Sequence, residues 1–195
     1  MLGPAATDVT AILPTLILVA WGMGLVLLGL VVPHRHRSLV IAALSLLGLG
    51  ATLLTCAALW DSVTVGFDGA VILDNYSLFL SIVFILAGIL TVLLSFHYLP
   101  DRDIERFEYY PLLVFCISGM TLMSSVNDFV MLFIALELLS IPLYVLAGFA
   151  RPDEKSEESA LKYFLLGAFA SAFLIYGIAL VFGGTGTTAF PEIVE

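Results

Sequence analysis

FVMLFIALELLSIPLYVLAGF, residues 129–149, decides how the rest of the chain is read. These 21 residues carry one formal charge, Glu137, near their middle. As a helix rising 1.5 Å per residue, the stretch matches the roughly 30 Å hydrocarbon core of a bilayer. A carboxylate at that depth is costly unless it is paired, wetted or protonated, and an ionisable group there marks a proton or ion pathway by default. Five residues on, Pro142 has no N–H, so the carbonyl of Leu138 loses its helical donor. The expectation is a kink and a free backbone acceptor beside a buried acid, tolerated where protein, side chains or water satisfy the freed group. The plainer alternative is a Glu hydrogen-bonded to a neighbouring helix for packing.

The composition agrees with a membrane setting. Of 195 residues, 61% are apolar and 12% charged, about half the charged share of a soluble domain, and the mean hydropathy is +1.11. The chain reads as an all-α integral membrane protein. Cys56 and Cys116 each lie in an apolar segment, without metal or redox spacing, and read as small buried hydrophobes. Seven Lys plus Arg, clustered nowhere beyond Arg35 and Arg37, give no case for nucleic acid. The start, MLGPAATDVTAILP, has no basic n-region, and the apolar run after it is too long for a signal h-region, so the first hydrophobic segment is expected to stay in the membrane.

Six segments are long enough, or nearly so, to span: 12–32, 39–60, 76–99, 110–126, 129–149 and 159–182, forming a single membrane domain over 1–195. The fourth, at 17 residues, is the shortest, and only Asn127 and Asp128 separate it from the fifth, which demands a tight antiparallel hairpin. The linker 61–75 is polar, with three Asp as its only charges. The sixth segment has a small-residue face at Gly167, Ser171 and Ala168, Ala172, a spacing that lets helix backbones approach closely. Trp60, Tyr76, Tyr98, Tyr109 and Tyr110 fall near segment ends, where interfacial aromatics belong.

The charges fall on one side. Arg35 and Arg37 lie between segments one and two, Arg102 and Arg106 between three and four, and Arg151 and Lys155 between five and six, with Lys162 at the start of six. These are all seven basic residues of the chain. The positive-inside rule then puts both termini and the 61–75 linker on the periplasmic side of a bacterial inner membrane.

Beside Glu137, the sixth segment offers Glu158 and Lys162 at i, i+4 in the order that favours pairing. Lys162 reads either as a cation tuning a nearby acid through a wet cavity or as a Lys snorkelling to the interface. His97 sits close to the end of segment three, where an interfacial His outweighs a proton relay. His34 and His36 flank Arg35 in a short loop and read as solvated; Asp128 reads as a turn residue. There is no P-loop, GxGxxG, HExxH or Ser/His/Asp constellation, hence no sequence case for a redox or other catalytic site in this chain.

ALELLSIPLYVLAGF (135–149), followed by SEESALKYFLLGAFASAFLIYGIALVFGGTGTT (156–188), resembles subunit N of the proton-pumping NADH–quinone oxidoreductase, respiratory complex I; DNYSLFLS (74–81) fits the same family. The resemblance is specific over about 74–188 and one of hydropathy before that. It implies the first part of a roughly 14-helix antiporter-like fold with inverted repeats and broken helices, whose C-terminal helices are absent from this sequence. It implies that Glu137 is the proton-pathway acid, with Glu158 and Lys162 as a second acid and a base. The Lys partner of Glu137 would lie on a broken seventh helix beyond this sequence. Burial and a neighbouring Lys pull a carboxyl's proton affinity in opposite directions, so moving the Lys would load or release a proton. By the same resemblance the partners are the other membrane subunits of complex I and the lipid bilayer. No cofactor is expected on this chain, and NADH, FMN, iron–sulfur clusters and quinone belong to the parent complex. A subunit of a multisubunit sodium/proton antiporter and a structural membrane scaffold are the alternatives.

Overall fold

The computed structural model describes residues 4–33 and 36–194; the expectations for His34 and Arg35 lie outside the described residues. Helices dominate. A short α1 (Pro4–Ala11) leads into α2 (Leu13–Val31) and α3 (Arg37–Ala58). A small antiparallel hairpin follows, β1 (Thr64–Gly66) with β2 (Val71–Leu73), pairing Thr64 with Leu73 and Gly66 with Val71. Then come α4 (Asn75–Asp101), α5 (Tyr109–Met123), α6 (Phe129–Ala147), α7 (Glu154–Thr185) and a short α8 (Phe190–Val194).

The six expected segments are present as helices, and five of them are long and apolar enough to cross a bilayer. The fourth is the exception. At 15 residues α5 is about 22 Å long by helical rise, less than the hydrocarbon core, because Ser124–Val126 leave the helix to meet the hairpin: Ile72 N–H donates to the Ser125 carbonyl at 2.8 Å. The sixth is longer than expected, Glu154–Thr185, extended at both ends by caps. Asp153 accepts from Lys155 N–H at 3.0 Å at its start, and Gly186 closes it at φ 78°, a conformation that suits glycine.

The 61–75 linker is a built structure, not a loose connection. Asp8 of α1 accepts from the Phe67 amide at 2.6 Å, and Asn127 Nδ2 donates to the Gly69 carbonyl at 2.9 Å. Asp74 and Ser77 form a reciprocal cap at the start of α4, at 2.8 and 2.9 Å. Too few residues alternate here for the strand pattern to show in the sequence.

The core lies among α2, α3, α4 and α5, filled by Leu18, Leu25, Ile41, Leu49, Leu78, Ile85, Val92, Val114 and Ile117. Trp21 of α2 seats on Gly48 of α3 and donates its indole N–H to the Leu44 carbonyl at 2.8 Å. Tyr110, expected at an interface, is a core residue at 2% exposure, packed edge-on against Tyr109 at 5.5 Å. Trp60, Tyr76 and Tyr98 are exposed, as an interfacial aromatic requires. Cys56 and Cys116 are buried and unpaired, on different helices.

Outside this core, α6 packs on α5, and α7 packs on α6 with no residue of α7 buried. The order α5–α6–α7 therefore runs outward from the core, and α6 is covered on two sides.

Candidate functional site

Helix α6 starts at a firm cap. Asp128, 9% exposed, accepts from the amides of Val130 and Met131 at 2.7 and 3.3 Å, meeting two of the donors that a helix start leaves open. Its other oxygen takes the Thr188 hydroxyl at 2.5 Å, and Phe129 N–H donates to the Thr188 carbonyl at 3.0 Å. The turn residue of the sequence is thus also the tie between the start of α6 and the chain after α7.

From there α6 runs unbroken through Pro142 to Ala147. Pro142 lies inside this helix as a buried packing residue, and the helix continues past it. Two faces of α6 do different work. At 3.6 residues per turn, Ala135, Leu139 and Pro142 share one side, and Glu137, Tyr144 and Gly148 share the opposite side. The first side meets α5, where Gly119 lies against the Leu138–Leu139 backbone. The second meets α7. Gly148 stands against Ala160, and the Tyr144 ring covers Gly167, where a Cβ would come within 2.1 Å of the Tyr144 oxygen. The Tyr163 ring closes on Tyr144 edge-on at 4.9 Å.

On this face the Ser171 hydroxyl of α7 donates to Glu137 Oε1 at 2.5 Å. Gly167 and Ser171 are one turn apart, so the seating of Tyr144 on Gly167 fixes the register that brings Ser171 to the acid. Glu137 is half-buried, at the edge of a groove of about 250 Å³ lined otherwise by Leu112, Phe115, Leu138, Ile141, Pro142 and Val145. Apart from Glu137, that lining is apolar. Ser171 was legible in the sequence only as a small residue on a packing face; its role as the partner of Glu137 needs the helix register.

The other candidates lie elsewhere. Glu158 and Lys162 pair with each other within α7, both exposed, with side chains at 62% and 69% of full accessibility. Lys162 is nine residues from Ser171, about 13 Å along the helix, so the structure does not bring it to Glu137. His97 is exposed near the end of α4, and His36 is exposed ahead of α3. Among the described residues no three His, Cys, Asp or Glu side chains converge as metal ligands.

Four of the described basic residues, Arg37, Arg102, Arg106 and Arg151, line grooves at the end of the bundle away from the hairpin. Arg37 and Arg106 line one groove there with Glu105 and Glu108, Arg106 and Arg151 line a second, and Arg102 and Arg151 a third. Arg37 stacks over Phe107 at 5.0 Å and Arg102 over Tyr98 at 5.7 Å. The Arg106–Arg151 groove also includes Val145, which lines the Glu137 groove as well.

Comparison with known proteins gives a consistent picture. Residues 126–195 match the family described as NADH:quinone oxidoreductase/Mrp antiporter, transmembrane. NADH-quinone oxidoreductase subunit N of Chloroflexus aggregans is 42% identical over 95% of this chain and 38% of its own length. Its counterpart in Trichlorobacter lovleyi is 41% identical over 96% of this chain and 38% of its own length. The chain therefore spans less than half the length of these relatives. Among solved structures, a chain of respiratory complex I from Thermus thermophilus, with bound aureothin, superimposes with a TM-score of 0.76 at 34% identity, over 90% of this chain and 38% of that one. A chain of the membrane-bound sulfane sulfur reductase, an archaeal respiratory membrane complex, shares the fold at a TM-score of 0.72 and 20% identity, over 94% of this chain and 39% of that one.

Proposed function

We propose that this chain, which is similar to the subunit N proteins of NADH–quinone oxidoreductase, is the part of such a subunit that carries a proton-translocating acid, Glu137. The observation that carries the reading is Glu137 itself: one carboxyl at the middle of an apolar helix, held by a hydroxyl from the next helix and bordered by an apolar groove. An acid so placed takes up and releases a proton when a charge nearby moves. The cation that would move is a Lys from beyond this sequence. Glu158 and Lys162 serve at the water-facing end, where a paired acid and base exchange protons with bulk solvent.

The N-terminus and the hairpin face the periplasm of a bacterial inner membrane, and the arginine-lined end faces the cytoplasm. Support comes from Arg37, Arg102, Arg106 and Arg151, which line grooves at one end of the bundle. The partners are the other membrane subunits of complex I and the surrounding lipid. NADH, flavin, iron–sulfur and quinone chemistry is carried by other subunits. Two cysteines on separate helices cannot supply the four thiolates of an ordinary iron–sulfur cluster, which supports that division.

Affinity purification of the tagged full-length subunit tests the assignment. It should bring down NADH–quinone reductase subunits, and the preparation should pump protons on addition of NADH and quinone. Recovery with sodium/proton antiporter subunits, without NADH-dependent pumping, would move the chain to the antiporter reading.

A further inference from the structure

Hydroxyls on the membrane helices of this chain mostly bond to their own backbone one turn back. Ser45 donates to the Ile41 carbonyl, Thr52 to Gly48, Thr91 to Ala87 and Ser95 to Thr91, at 2.6–2.9 Å. This back-bonding is the usual way for such a side chain to satisfy itself inside a helix. Ser171 does otherwise. Its hydroxyl crosses to α6 and donates to Glu137 Oε1 at 2.5 Å, joining residues 34 apart in sequence.

We infer that Ser171 is the positioning residue for the Glu137 carboxyl, holding it in place both with and without its proton. The inference rests on the reading of Glu137 as a proton site. A hydroxyl suits the task because it both donates and accepts. With Glu137 ionised, the Ser171 O–H donates to the carboxylate. When a proton arrives, it bonds to a carboxylate oxygen and the new acid O–H donates to the Ser171 oxygen, while the Ser171 hydrogen turns to the Gly167 carbonyl, its own back-bonding acceptor. No proton is lost or created, and the carboxyl does not have to swing to find a partner. A Lys could hold only the ionised form and a carbonyl only the protonated one. The register that permits this is fixed independently, by the Tyr144 ring on Gly167 and by Gly148 against Ala160.

A packing role and a positioning role differ in what Ala does. Ala is the better helix former and nearly the same size, so a packing role makes Ser171→Ala harmless. The test uses the complete complex in membranes at matched content, with Ser171→Ala, Ser171→Thr and Glu137→Gln. Two readouts are taken: NADH-driven proton pumping, and the infrared C=O stretch of protonated Glu137, identified as the band missing in Glu137→Gln. Ser171→Ala should lower pumping about fivefold or more and move the band to higher wavenumber, since a lost hydrogen bond to the carboxyl is not replaced. Ser171→Thr should restore both. Pumping within about twofold of wild type in Ser171→Ala, or an unmoved band, overturns the inference. If Ser171→Ala does not assemble, Ser171→Cys, of similar size and a weaker donor, is judged by the same two readouts. Normal pumping by Glu137→Gln would instead remove the proton-site reading beneath the inference, so the two failures are distinct.

Discussion

Gly119 of α5 touches the backbone of Leu139 on α6: a Cβ at Gly119 would stand 2.4 Å from the Leu139 nitrogen and 2.8 Å from the Leu138 carbonyl carbon. Neither is a side-chain end that can rotate away, so only a shift of one helix relieves the clash. Because α5 and α7 lie on opposite sides of α6, that shift drives α6 toward α7 and disturbs the contact between Glu137 and Ser171. Gly119→Ala should therefore cost about 1–3 kcal/mol, the usual range for overpacking a tight interior. Gly177→Ala on α7, with nothing within 4 Å of the new methyl, is the control and should be silent. Thermal unfolding of the purified complex in detergent, with pumping at matched content, separates the two; equal behaviour would count against the close approach.

The cap at the start of α6 gives a second prediction. Asp128→Ala removes the acceptor for two backbone amides and for the Thr188 hydroxyl, and should destabilise by about 1–2 kcal/mol. Asp128→Asn keeps an acceptor oxygen and should recover most of the loss. If Asn is no better than Ala in thermal unfolding, the capping account is wrong.

Orientation is tested at the hairpin. Val63 is 71% exposed beside β1, whereas Cys56 and Cys116 are buried and give little background. Val63→Cys should label with a membrane-impermeant thiol reagent added outside intact cells. Labelling only after the cytoplasmic face is opened would reverse the proposed topology.

Long apolar runs made the helices legible, since segments such as 129–149 have the length and hydropathy of a bilayer span. Glu137 was legible for the same reason, as the single charge in such a run. The hairpin was not, because three-residue strands leave no periodicity and are stabilised by distant partners, Asp8, Ser125 and Asn127. The short α5 was missed at its end, where hydropathy continues through Val126 while the backbone turns to pair with Val71. In the sequence Ser171 is only one member of a small-residue face, because a hydroxyl there looks the same whether it faces lipid or an acid. Only the α6–α7 register, set by Tyr144 on Gly167, tells the two apart.

The exposed pair on α7 should matter less than the half-buried Glu137. Glu158→Gln breaks an ion pair that water already screens on both partners, so its stability effect should be small and its pumping defect milder than that of Glu137→Gln. A pumping loss as deep as that of Glu137→Gln would mean that Glu158 is not water-exposed in the assembled complex.

The most direct measurement is proton pumping coupled to NADH–quinone turnover with Glu137→Gln, in membranes with matched complex content. Gln keeps the shape and can still hydrogen-bond to Ser171, so a purely structural Glu137 predicts little change, an interhelical hydrogen bond in lipid averaging under about 1 kcal/mol. The proton-site account predicts normal assembly with sharply reduced pumping and turnover. It also predicts an intermediate defect for Glu137→Asp, whose charge is kept but withdrawn by one methylene from Ser171. Full activity of Glu137→Gln would contradict it.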